Sequence, residues 1–84
     1  MYYLYILQSI DRKHFYIGSC SDLVKRLKKH NSGSSKATKP YRPWEIIYSE
    51  EFLIKGDAIK REYFLKSPKG YLEKLRIFGE HKKK

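Results

Sequence analysis

Near its start the chain reads Tyr2-Tyr3-Leu4-Tyr5-Ile6-Leu7-Gln8-Ser9, steps through the polar Ile10-Asp11-Arg12-Lys13, and returns as Phe15-Tyr16-Ile17-Gly18-Ser19. Two short runs of aromatic and branched residues joined by a polar turn read as a β-hairpin. Strand alternation puts Tyr3, Tyr5 and Leu7 on one side of the first strand and Tyr16 with Gly18 on one side of the second. If those sides coincide, two phenols meet across the hairpin. Gly18 stands where a branched residue would suit a strand better, which signals close backbone approach.

Outward from the hairpin, Ser21 or Asp22 caps a helix running to about Asn31, with Leu23 and Leu27 facing in and the lysines facing out. Asn31 to Pro43, with Gly33, serines and prolines, reads as a loop. Trp44 to Glu50 alternates Trp44, Ile46 and Tyr48 with Glu45, Ile47 and Ser49, a third strand. Ile54 to Lys66 has helical spacing at Ile54, Ala58, Ile59 and Leu65. Ser67-Pro68 then supplies an N-cap and a first-turn proline for a last helix, with Leu72 and Leu75 inside and Gly79 as its stop. The order β-β-α-β-α-α predicts a small α/β (α+β) domain, a three-stranded antiparallel sheet flanked by helices. Residues 1–79 form this one domain and 80–84 a basic tail expected to be disordered.

With 84 residues there is room for a single core. Cys20 is the only cysteine, so no intramolecular disulfide forms, and the scarcity of cysteine and histidine argues against structural zinc; a reducing, cytoplasmic setting fits best. The longest apolar run, Tyr2 to Leu7, falls far short of the roughly 20 residues of a membrane span, and no signal-peptide pattern precedes it. Nineteen Lys plus Arg against nine Asp plus Glu leave a net charge of +10, which attracts polyanions. Between Asp22 and Glu45 no acid occurs. Lys25, Lys28, Lys29, Lys36, Lys39 and Arg42 in that stretch, beside Arg26, are the expected nucleic-acid contacts.

Three features break the pattern of a solvated basic surface over an apolar core. On the helix from Ile54 to Lys66, Glu62 falls inside the apolar stripe between Ala58, Leu65 and Ile59, so it requires a lysine or arginine, several hydrogen-bond donors, or a divalent cation. Arg26 and His30, four apart, stack on one helix face within reach of a shared anionic group. Arg26 suits bidentate phosphate binding, and His30 suits proton transfer near neutrality. Tyr5 and Tyr16 form the third feature. No phosphate-cradling glycine loop, paired cysteines or ordered serine nucleophile accompanies them.

Tyr3-Leu4-Tyr5, Tyr16-Ile17-Gly18, Arg26 and His30 on the next helix, and Glu62 within Arg61-Glu62-Tyr63 resemble the GIY-YIG nuclease family in order and spacing over residues 2 to 66. Asp22 to Leu27 and His30 to Gly33 look like its small stand-alone branch, related to the N-terminal nuclease domain of the bacterial excision-repair nuclease subunit. The resemblance implies a DNA endonuclease with one divalent metal, Mg2+ or Mn2+, acting on branched or damaged DNA in repair. By that resemblance Glu62 binds the metal, Tyr5 activates or orients the attacking water, Tyr16 shares that positioning, Arg26 binds the scissile phosphate, His30 transfers protons or activates a tyrosine, and Gly18 is structural. A tyrosine titrating near 10 is a poor base, so Arg26, a charged His30 or the metal is expected to lower it. Tyr3 and Leu4 replace the glycine and isoleucine of the family's name, and the asparagine that follows the glutamate in some members has no counterpart, Lys74 standing twelve positions on. Target choice falls to the basic loop or to a partner protein. The alternative is a catalytically silent nucleic-acid-binding module of the same fold.

Overall fold

The computed structural model describes residues 1–11 and 13–82, without the side chains of His81 and Lys82. Strands β1 (Tyr2–Ser9) and β2 (Phe15–Cys20) form the expected hairpin, followed by α1 (Leu23–Ser32), β3 (Trp44–Phe52), α2 (Lys55–Lys66) and α3 (Tyr71–Lys82). Short 3-10 turns at Lys39–Tyr41 and Pro68–Gly70 precede β3 and α3. In the hairpin turn Asp11 accepts hydrogen bonds from the Ser9 hydroxyl and, at 2.9 Å, from the Lys13 N–H. The sheet is antiparallel in the order β2-β1-β3, which makes β2 an edge strand and buries β1 at the centre. No helix of the described residues is long and apolar enough to cross a membrane.

Because β1 is central, both of its faces carry core. Leu4 and Ile6 pack with Ile17, Leu65 and Ile77 on the side of α2 and α3. Tyr5 and Leu7 pack with Trp44 on the other side, where Leu23 and Leu27 of α1 close the layer as their spacing requires. Asp22 caps α1, accepting from the Lys25 N–H at 3.0 Å, and Gly33 ends it in the left-handed region at φ 85°. A helix on each face of the sheet leaves the free edge of β2 as the place where residues from both faces meet.

Two expectations are corrected. The strict alternation of β3 fails at a bulge: Ile6 pairs with Tyr48 but Leu7 pairs with Ile46, so Ile47 is an extra residue. Trp44 and Ile46 stay on the α1 side, whereas Ile47 and Tyr48 both pack on the α2–α3 side. The last helix is also out of phase with its expected register. Leu72 and Leu75 are exposed, Ile77 is buried with Phe78 against it, and Gly79 lies inside the helix instead of ending it. The cause is the Pro68–Gly70 turn, which has the tighter 3-10 winding and delays the α-helix to Tyr71. A β-carbon on Gly70 would stand 2.1 Å from the Phe64 carbonyl oxygen, so this turn sits directly on the end of α2. Of the expected disordered tail 80–84, residues 80–82 instead continue α3, and Lys83 and Lys84 lie outside the described residues.

Arg61 ties three elements together. Its guanidinium donates to Glu50 of β3 through Nε and Nη2, both at 2.9 Å, and to Glu73 of α3 through Nη1 at 3.0 Å and Nη2. Tyr48 donates to Glu50 in turn. The bulge makes this possible by bringing Tyr48 and Glu50 to the α2–α3 side. Removing the guanidinium strands the half-buried Glu50 without its two-pronged partner at a cost of about 2 kcal/mol, while Glu73 keeps Arg76 at 3.8 Å. Arg61→Met should therefore lower the thermal midpoint by roughly 10 °C; circular dichroism melting tests this, and an unchanged midpoint would show that the network contributes nothing.

Candidate active site

The hairpin register sets Tyr5 opposite Gly18. A β-carbon on Gly18 would lie 2.6 Å from the Tyr5 hydroxyl, 2.8 Å from its Cζ and 3.1 Å from Tyr16 Cε2, so only glycine leaves room for the phenol to cross the edge strand. The two phenols meet as strand alternation requires, with ring centroids 6.3 Å apart. They differ in access: Tyr5 is buried and Tyr16 half-buried.

Helix α1 brings His30 under this pair. The Tyr5 hydroxyl lies 3.0 Å from His30 Nε2, and His30 Nδ1 lies 2.9 Å from the Thr38 hydroxyl. The His30 ring centroid is 4.9 Å from that of Tyr16. Thr38 is itself fixed, because its carbonyl accepts from Trp44 Nε1 at 2.8 Å and Asn31 clasps the Trp44 backbone in both directions, at 2.6 and 3.1 Å. Burial first, then the charges of Arg26 and Lys29, holds the His30 imidazole below the ordinary histidine value, and it is neutral at pH 7. Burial chiefly, and then Tyr16, raises the Tyr5 phenol above the usual tyrosine value, with Arg26 acting in the opposite direction. The expectation of a charged His30 lowering Tyr5 is thus corrected. In the Nδ1–H tautomer a neutral His30 donates a hydrogen bond to the Thr38 hydroxyl, and its Nε2 lone pair accepts from the Tyr5 phenol.

Glu62 approaches from the other side of the sheet. Its Oε1 accepts from the Ser19 hydroxyl at 2.8 Å and its Oε2 from Lys66 Nζ at 2.7 Å, which meets the need for compensation with one donor and one cation. Lys66 also lies 5.8 Å from the Tyr16 ring centroid. Arg26 is half-buried in a hollow of about 180 Å³ that also contains Ser19, Cys20 and Lys55. The hollow therefore links Arg26 to Glu62 through Ser19, around the free edge of β2. Lys25 and Lys29 border an adjoining hollow with Arg26, whereas Lys28, Lys36 and Lys39 are exposed on α1 and the following loop. Arg42 folds back over Gly33 and donates to the Lys39 carbonyl at 3.0 Å.

Among the described residues no three His, Cys, Asp or Glu side chains gather to hold a metal. A single carboxylate suits Mg2+, which keeps several waters and takes substrate phosphate oxygens as further ligands; it does not suit zinc, which needs three or four protein ligands. Lys66 holds Oε2 through a half-exposed amine, so a cation at Glu62 would take that amine's place. Sequence reasoning did not assign Ser19, Thr38 or Lys66 to the site. The i,i+4 spacing of Glu62 and Lys66 was a usable signal for one of them.

The small antiparallel sheet thus carries a tyrosine pair over a hairpin glycine, with arginine and histidine on the next helix and glutamate on the following one. The model of the GIY-YIG catalytic domain matches residues 1–76, and the chain belongs to this family. A UPF0213 protein of Staphylococcus saprophyticus is 42% identical over 67 residues, covering 79% of this chain and 80% of that protein. One from Bacillus pumilus is 39% identical over 85 residues, covering 94% and 86%. The solution NMR structure of a UPF0213 protein from Bacillus halodurans aligns with a TM-score of 0.51 at 31% identity, over 92% of this chain and 85% of that one.

His30 gives a pH signature of its own. Unfolded, it takes up a proton near pH 6.5, while the folded site resists protonation. Its contribution to stability is whole above about pH 6.5 and is lost as the pH falls from there through the lowered folded value. Urea unfolding at pH 7.5 and pH 5 should show a larger loss for wild type than for His30→Gln; equal losses would contradict a neutral buried imidazole.

Proposed function

We propose that this chain is a divalent-metal-dependent endonuclease that hydrolyses phosphodiester bonds in DNA, with branched or damaged DNA as its substrate class and the cytoplasm as its setting. The observation that carries the reading is the Tyr5–His30–Thr38 hydrogen-bonded chain beside Arg26 and Glu62. A purely structural tyrosine would be satisfied by any acceptor, whereas this one meets a neutral imidazole oriented by a second buried hydroxyl.

The residues divide the work by access and charge. Tyr16, the more open phenol, orients the attacking water above the pair. Tyr5 relays the proton inward to His30 Nε2, while Thr38 holds the imidazole in the accepting tautomer. This removes the need for Tyr5 to ionise alone, which its burial opposes. Arg26 offsets charge on the non-bridging phosphate oxygens from the shared hollow. Glu62 would hold the metal, with Ser19 fixing Oε1; the bound ion supplies Lewis-acid stabilisation of the phosphate and the leaving oxygen. Lys25, Lys28, Lys29, Lys36, Lys39 and Arg42 contribute backbone contacts. A protein partner or the loop before β3 selects the target.

Labelled duplex, single-stranded, flapped and branched DNA, incubated with Mg2+ or Mn2+, tests the reading. Wild type should cut at least one substrate, Arg26→Ala should cut far more slowly, and Glu62→Ala should not cut while binding nearly as tightly. Cutting by Glu62→Ala at the wild-type rate would refute the metal assignment, and salt-dependent binding without cutting by wild type would favour the silent module. Lys28→Ala with Lys29→Ala should weaken binding and flatten its salt dependence by about one unit per lost phosphate contact.

A further inference from the structure

At the corner between α2 and α3, Lys66, Ser67, Pro68, Tyr71 and Lys74 line an open concave surface. Tyr71 is 52% exposed, and Lys74 Nζ stands 5.5 Å from its ring centroid. Lys69 is exposed in the same turn. The neighbouring carboxylate, Glu73, is turned away onto Arg61, so the lining is cationic and aromatic. Lys66 also borders a hollow with Phe15, Tyr16 and Ile17 and bonds Glu62, which makes the corner continuous with the candidate active site.

We propose that this corner binds single-stranded nucleic acid leading to or from the scissile phosphate, with an unpaired base on Tyr71 and Pro68 and the backbone against Lys66, Lys69 and Lys74. The proposal rests on the nuclease reading for the direction of the strand. Charge selects a polyanion over an apolar partner. An exposed aromatic ring selects an unpaired base, because in a duplex neighbouring base pairs cover the faces that would stack. The arrangement also explains the exposed Tyr71 at the start of a helix whose buried face lies elsewhere.

Binding in EDTA, where no metal-dependent cutting occurs, separates this site from the nuclease reading. Fluorescence anisotropy with a labelled 15-nucleotide single strand and a duplex of equal length gives affinity, and 2-aminopurine placed at successive positions of the single strand reports stacking. Wild type should quench at least one position. Tyr71→Leu, which keeps apolar bulk, should weaken single-strand binding about tenfold, remove that quenching and leave duplex affinity unchanged, while Tyr71→Phe retains both signals. Lys74→Gln should reduce the single-strand salt slope by about 0.7. Unchanged affinity and quenching in Tyr71→Leu would overturn the proposal, as would absence of quenching in wild type. A Tyr71→Leu protein that changes mass by light scattering while binding DNA normally would also overturn it, marking the corner as a contact between copies of the chain. Circular dichroism melting of both tyrosine variants confirms that the folded domain is being compared. Failure of cutting with quenching intact would refute the nuclease reading alone.

Discussion

The Tyr5 ring lies across the backbone of Gly18, with its hydroxyl 2.6 Å from where any other residue would place a β-carbon. The packing on the α1 side follows from this contact. With the phenol seated there, His30 reaches it because Leu23 and Leu27 hold α1 against the Tyr5, Leu7 and Trp44 face of the sheet. Thr38 must then come down onto the far side of the imidazole, and the Asn31–Trp44 clasp holds the loop that carries it. A side chain at position 18 would force the ring out of line with His30, even if the sheet itself formed.

Arg61 and Glu62 show how adjacent residues serve different ends. One step along a helix turns the side chain by about 100°. Arg61 thereby faces β3 and α3 and neutralises Glu50 and Glu73, while Glu62 faces β2 and stands beside Ser19 and Lys66. Arg61 consumes its charge internally and stabilises the packing of three elements. Among the described residues Glu62 is balanced by a hydroxyl and a half-exposed amine, a weaker compensation than the two-carboxylate clasp of Arg61.

Much of this was legible from periodicity. Two-residue alternation brings Tyr5, Tyr16 and Gly18 to one face, and four-residue spacing places Arg26 with His30 and Glu62 with the apolar stripe of α2. Within each element the placement follows from that element's own geometry, and the Tyr5–Gly18 register makes the two hairpin sides coincide. Thr38 had no such signal, since it acts from a segment without period and is positioned by long-range contacts with α1 and β3. The bulge at Ile47 was hidden because Ile46, Ile47 and Tyr48 are all suited to a strand, and only pairing with β1 reveals the extra residue. The phase of α3 was misjudged because a proline at a helix start gives no sign of whether the next turn is wound as α or 3-10. Gly70, pressed onto the Phe64 carbonyl, shows which occurs here.

The clasp between Asn31 and Trp44 closes a loop at its base, and Thr38 pins it at its middle. The segment is thereby divided into two small lobes: in residues 33–37 the side chains of Ser34, Lys36 and Ala37 are exposed, whereas in residues 39–43 Tyr41 stacks on His14 and meets the edge of Trp44, and the Pro43 carbonyl accepts from the Ile10 N–H. Lengthening the first lobe adds little closure entropy, about 0.6 kcal/mol for each doubling of a flexible loop. Related chains can therefore diverge in this region, and engineered ones can accept inserted recognition peptides there, provided that Asn31, Thr38 and Trp44 are retained as fixed points.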